Sequence, residues 1–147
     1  MKFLDMPPIW LVLFIVLCWL QARFVPIGDF GSLGNWLGIF LVVIGIVITI
    51  ASVREFTTAR TSIIPRETPT NIIRTGVFRY SRNPIYLADA LILLGAGLWF
   101  DAVAFIVLVP LFVVIIQRRF IVGEENELMR EFPEEFIEYK ASVRRWL

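Results

Sequence analysis

The sequence predicts an all-α integral membrane protein, and three observations carry that reading. Hydrophobic residues make up 58% of the chain and the mean hydropathy is +0.76, well beyond the roughly 45–50% apolar content of a soluble domain. The apolar residues are gathered into four long stretches. The arginines are gathered between and after those stretches rather than spread along the chain.

The elements follow in order. Residues 8–25, PIWLVLFIVLCWLQARFV, carry Trp10 and Trp19 toward their ends and lack a small-residue cleavage site. They are read as a retained span rather than a signal peptide, with Cys18 as a buried structural thiol. Residues 33–53 contain no charge and form the clearest spanning helix. Residues 85–100 and 102–116 are separated by little more than Asp101. Each is short against the about 20 residues that cross a bilayer of about 30 Å, which predicts a tight helical hairpin in a thinned or water-penetrated zone. Pro110, having no backbone donor, predicts a kink in the fourth helix. Gly95-Ala96-Gly97 falls in mid-span, where small residues make a helix-packing surface.

Two polar regions remain. Residues 54–84 are punctuated by Pro65, Pro69 and Gly76 and predict a loop. Residues 117–147 form a charged tail in which Leu128, Phe132, Phe136, Tyr139, Val143 and Leu147 recur at spacings of three or four. That stripe predicts helices lying on the membrane surface, with Pro133 in the first turn of the second one. One domain, residues 1–147, accounts for the whole chain.

Arg54, Arg60, Arg66, Arg74, Arg79 and Arg82 lie in the loop, and Arg118, Arg119, Arg130, Lys140, Arg144 and Arg145 in the tail; Arg23 falls on the other side. By the positive-inside rule, both termini, the loop and the tail are cytoplasmic. A net charge of +1 points to no nucleic-acid partner, and the absence of histidine removes the usual zinc and haem ligands and any imidazole base. No metal is expected.

Chemistry gathers at the junction of loop and third helix. From Asn83, Tyr86 and Asp89 follow at i+3 and i+6, within about 60° of one helical face. An acid inside a span costs about 2.5–3.5 kcal/mol on insertion scales and marks a functional site by default. In a purely structural reading, Asn83 caps the helix that Pro84 starts, Tyr86 anchors at the interface, and Asp89 pairs with an arginine. A second cluster, Arg118, Arg119, Glu124, Glu125 and Glu127, follows the fourth helix. It reads either as a solvated face or, carried back by the hairpin toward Asn83 and Tyr86, as acceptors for ligand hydroxyl or ammonium groups.

The stretches TGVFRYSRNPIYLAD (75–89) and EENELMREFPEEFIEYKASVRRW (124–146) resemble the small membrane methyltransferases. That superfamily includes isoprenylcysteine carboxyl methyltransferase and the phospholipid (phosphatidylethanolamine) methyltransferases. Its signature is similar to T-G-P-Y-R-x-x-R-H-P-x-Y-x-G, a hairpin, a Glu-Glu pair, then F-G-x-x-Y-x-x-Y, and the resemblance extends from near Thr61 onward. The chain departs from it at several points. Asn83 stands for the histidine, Ala88 and Pro133 for glycines, Phe136 for the first tail tyrosine, and Gly123 for an arginine that often precedes the glutamates.

The resemblance implies S-adenosylmethionine as cofactor, with Asn83, Tyr86 and Leu87 at the start of the third helix and Glu124 and Glu125 as its contacts. It also implies that apolar walls of the hairpin hold the adenine. Methyl transfer from a sulfonium needs alignment and water exclusion more than a metal or a histidine. The acceptor implied is a lipophilic molecule entering sideways from the bilayer. For an amine headgroup, Asp89 takes the proton or holds the cation. For a carboxylate, Arg82, Arg79 or Arg119 positions it, with Arg118 or Arg119 standing in for the arginine missing at Gly123. Two other readings stay open: an NADPH-using membrane reductase relative, and a non-catalytic membrane subunit. Nothing in the sequence sets an oligomeric state.

Overall fold

The computed structural model describes residues 6–62, 64 and 69–147. Pro65 and Arg66, used above for punctuation and charge, lie outside the described residues. Among the described residues every regular element is helical, as expected. Helix α1 spans Pro7–Phe24, α2 Gly31–Ala59, α3 Pro84–Trp99, α4 Phe105–Ile116, α5 Val122–Glu131 and α6 Pro133–Ser142. A short 3-10 helix covers Gly76–Arg79. Helices α1, α3 and α6 each begin with proline in the first turn, where its missing N–H leaves no bond unmade.

Two boundaries differ from expectation. Helix α2 does not stop at Val53 but runs six residues further, through Arg54 and Glu55 to Ala59. None of those residues breaks a helix, and the Thr57 and Thr58 hydroxyls donate back to carbonyls of Val53 and Arg54. The helix ends at Arg60, which is left-handed with φ 52°.

The fourth span is not short either. Helix α4 continues through a π-helical turn, Gln117–Ile121, directly into α5, so Phe105–Glu131 is one 27-residue rod. At 1.5 Å per residue it is about 40 Å long, enough to cross a bilayer of about 30 Å with its charged end outside. Pro110 sits inside α4 without ending it. Three helices are thus long and apolar enough to cross a membrane, namely α1, α2 and this rod, beside the shorter apolar α3. The chain is an integral membrane protein.

Small residues weld α2 to α3. A Cβ on Gly38 would stand 2.6 Å from the Gly95 carbonyl oxygen, one on Gly95 2.6 Å from that of Gly38, and one on Gly45 2.9 Å from that of Ala88. Only glycine allows this approach. The core gathers Phe14 and Cys18 of α1, Leu93 of α3, and Phe112 and Ile116 of α4. At the end of α3, Asp101 takes a left-handed conformation (φ 55°), and its Oδ1 accepts the Phe30 N–H at 2.8 Å. Nearby, Gln21 Oε1 accepts the Ala104 N–H at 2.9 Å.

The tail stripe behaves differently from the surface helices expected. Phe136 and Tyr139 are buried, at 1% and 4% exposure. They pack over the loop instead of facing lipid, and the Tyr139 hydroxyl donates to the Phe78 carbonyl at 2.7 Å. Burial raises that phenol above the usual tyrosine range, so it stays a donor throughout physiological pH.

Candidate active site

The rod brings the two sequence clusters together. Because α4 returns antiparallel to α3, the paired glutamates of α5 arrive beside the first turn of α3. The Tyr86 hydroxyl donates to Glu124 Oε1 at 2.6 Å, and Arg82 Nη2 donates to Glu125 Oε1 at 2.8 Å. The π-helical turn sits immediately before this meeting point. Such a turn fits one more residue into a helical turn, shifts the phase of everything after it, and recurs at functional sites.

These residues border a cavity of about 650 Å³, within the usual range for small-molecule sites. Arg82, Asn83, Tyr86, Asp89, Glu124, Glu125 and Glu127 line its polar side. Of the hairpin expected to supply its apolar wall only α3 contributes, because no residue of α4 lines it. The wall comes from α2 through Ile46, Ile50, Val53 and Phe56, with Ile85 and Ile92 of α3. Ile46 and Ile50 are 47% and 56% exposed, so the cavity opens sideways along α2 toward the lipid side.

Asp89 bears on the two readings of its cluster. It is 8% exposed and lines the cavity. Among the described residues, no hydrogen bond or ion pair reaches its carboxylate, and the arginine nearest in sequence, Arg82, is committed elsewhere. The arginine pairing that the purely structural reading expects of Asp89 is not formed among the described residues. An unpaired acid there costs several kilocalories per mole unless it neutralises or meets a ligand.

Asn83 occupies the N-cap position, but its side chain makes no cap bond. Its Nδ2 donates to the Arg145 carbonyl at 3.0 Å, and its backbone N–H donates to Ser81 Oγ at 3.1 Å. Arg82 is a buried strut rather than an open anion contact. Its Nη1 donates to the carbonyls of Val143 (3.0 Å) and Lys140 (3.3 Å), while Nη2 holds Glu125 and the guanidinium lies over the Phe136 ring at 5.9 Å. Glu125 is saturated as well, taking Arg145 Nε at 3.0 Å on Oε1 and Arg145 Nη2 at 2.5 Å on Oε2.

Four expected residues are not brought to the cavity. Leu87 does not line it, and neither do Arg79, Arg118 and Arg119. The Arg119 guanidinium instead lies 5.3 Å from the Trp10 ring centre, because the π-turned rod points it toward α1. Arg145, Ser81 and Tyr139 hold the site's frame, and sequence reasoning did not single them out for it. Pairing across distant segments left no local signal beyond the tail's arginine count.

Comparison with protein families matches residues 33–135 to the phospholipid methyltransferase family. The chain belongs to that family. No curated protein and no solved structure matches it. In this phospholipid methyltransferase family member, the match covers both halves of the cavity's polar side, Arg82 to Asp89 and Glu124 to Glu127, and stops short of Phe136 and Arg145.

Proposed function

We propose that the chain is an S-adenosylmethionine-dependent methyltransferase acting on the amine headgroup of a membrane lipid, with its site at the cytoplasmic face. The observation that carries this reading is the unpaired Asp89 carboxylate in an acid-rich cavity joined to Tyr86 and Glu124. Among the described residues lining the cavity, Asp89, Glu124, Glu125 and Glu127 face a single cation, Arg82, whose terminal nitrogens are already bonded. Such a wall suits a sulfonium and an ammonium. It offers little to a carboxylate acceptor or to the phosphates of NADPH, which speaks against carboxyl methylation and the reductase reading.

When bound, S-adenosylmethionine supplies an electrophilic methyl carbon. Tyr86 and Glu124 hold the cofactor's polar groups by hydrogen bonding. Asp89 attracts the protonated headgroup and takes its proton, leaving a nitrogen lone pair for attack. Ile46, Ile50, Ile85 and Ile92 exclude water and admit the acyl chains from the bilayer. Arg82 acts through Glu125 as a positioning residue, and Arg119 has no part. The arginine-rich loop and tail support a cytoplasmic face for this site by the positive-inside rule, on the side where the cofactor is made.

The test uses protein in nanodiscs. S-adenosylmethionine affinity is measured for the parent, Tyr86→Phe and Glu124→Ala. Saturable binding weakened about tenfold by either change supports the site; equal weak binding in all three overturns it. Labelled methyl groups then pass to total lipid, where base-stable label marks N-methylation and base-labile label marks an ester.

A further inference from the structure

Residues 143–146 run as a non-helical strap across the frame of the site, beyond the last residue that the family match covers. Hydrogen bonds from backbone and side chains fasten the strap to the turn before α3 and to the rod. The Arg145 carbonyl accepts both Ser81 Oγ (3.3 Å) and Asn83 Nδ2 (3.0 Å), and the Arg144 carbonyl accepts the Arg82 N–H at 3.0 Å. The Arg145 guanidinium grips Glu125 with two nitrogens. Trp146 Nε1 donates to Gln117 Oε1 at 3.0 Å. Gln117 is the first residue of the π-helical turn and Glu125 lies one turn past its end. The strap therefore holds the π turn from both sides.

A π turn is less stable than an α turn of the same residues. Relaxing it would rotate the following helix by about 100°, one residue's worth of helical phase. Glu124 and Glu125 are adjacent, so whatever fixes the phase of Glu125 fixes that of Glu124. With Glu125 saturated by two guanidiniums, the pair divides its labour: Glu125 is the grip, and Glu124 is turned to Tyr86.

We propose that Arg145, assisted by Trp146, is a positioning residue that locks the π-turned rod in the phase that places Glu124 against Tyr86 at the cofactor site. This role rests on the cofactor reading given above.

The test combines a double-mutant cycle with hydrogen exchange in nanodiscs. Arg145→Met weakens S-adenosylmethionine binding about 10–30-fold in the parent and less than about twofold in Glu124→Gln, because the group it positions is already gone. In cofactor-free protein the same change raises amide exchange over 117–131 and leaves α2 and α3 unchanged. Arg145→Lys, which keeps the charge and loses the fork, restores only part of the affinity. Trp146→Phe, which removes one bond and retains the ring, gives a smaller loss with the same dependence on Glu124. It keeps the question answerable if Arg145→Met does not fold.

Equal losses in both backgrounds, a uniform rise in exchange, or unchanged affinity would overturn the positioning role alone. Absence of binding by the parent would overturn the proposed function and this role together.

Discussion

Helix α3 has an aspartate at each end, and the surrounding protein treats the two oppositely. Asp101, just past the C-terminal end, is built in. Its carboxylate caps the Phe30 N–H, its backbone takes a left-handed turn that aspartate tolerates, and Gly28 packs on its carbonyl. Asp89, one turn and a half inside the other end, is buried and lines a cavity without a partner among the described residues. The same side chain on one helix is thus a fastening at one end and an exposed cost at the other. A stability cost retained at a cavity wall marks function better than charge or burial does alone.

Substitution separates the two most sharply at Asp89. Asp89→Asn is expected to lower methyl transfer by about 10²–10⁴-fold, the usual worth of a general base, with S-adenosylmethionine affinity within about twofold of the parent. Asp89→Leu goes further by raising the thermal midpoint while activity is lost, because an unpaired buried acid is removed. A lower midpoint would mean that Asp89 is a fastening too.

The next largest effect is expected at Glu125, the paired acid of the same site. Glu125→Ala leaves the buried Arg82 and the half-buried Arg145 uncompensated, costing about 3–5 kcal/mol in unfolding experiments. Asp101→Ala removes one hydrogen bond and a residue tolerant of the left-handed turn, for about 1–2 kcal/mol, with transfer per folded molecule unchanged. Smallest of all, Asp101→Asn keeps an acceptor oxygen and the turn preference and shifts stability by only a few tenths of a kcal/mol. If Asp101→Asn silenced transfer, the contrast between the two ends would collapse.

Much of the fold was legible because its signals are local. The apolar runs located α1, α2, α3 and the start of the rod, Pro84 and Pro133 each start the helix they were expected to start, and Gly95 lies in a packing face. The juxtaposition of Tyr86 with the glutamates followed from the hairpin alone. What escaped was non-local or without signature. The π turn at 117–121 is nearly helical in its dihedrals and has no residue pattern, so the rod looked broken into a short span and a separate tail. Arg145 looked like one more tail cation, because its partner is 20 residues away in sequence and only tertiary structure joins them. Arg119 and Leu87 were drawn in by proximity along the chain; helical phase carries both away from the cavity. The α2 extension was hidden because Arg54 and Glu55 look like the end of a span while being good helix formers.

The glycine seam between α2 and α3 has a mechanical corollary. Two backbones in direct contact along Gly38, Gly45 and Gly95 cannot slide past one another without steric collision and lose close packing if they part, so this pair is a fixed plank. Breathing that admits the proposed lipid guest beside Ile46 and Ile50 would then come from elements outside this pair, α1 and the long rod among them. Spin labels across the seam should report one narrow distance, and labels between α1 and α2 a broad one.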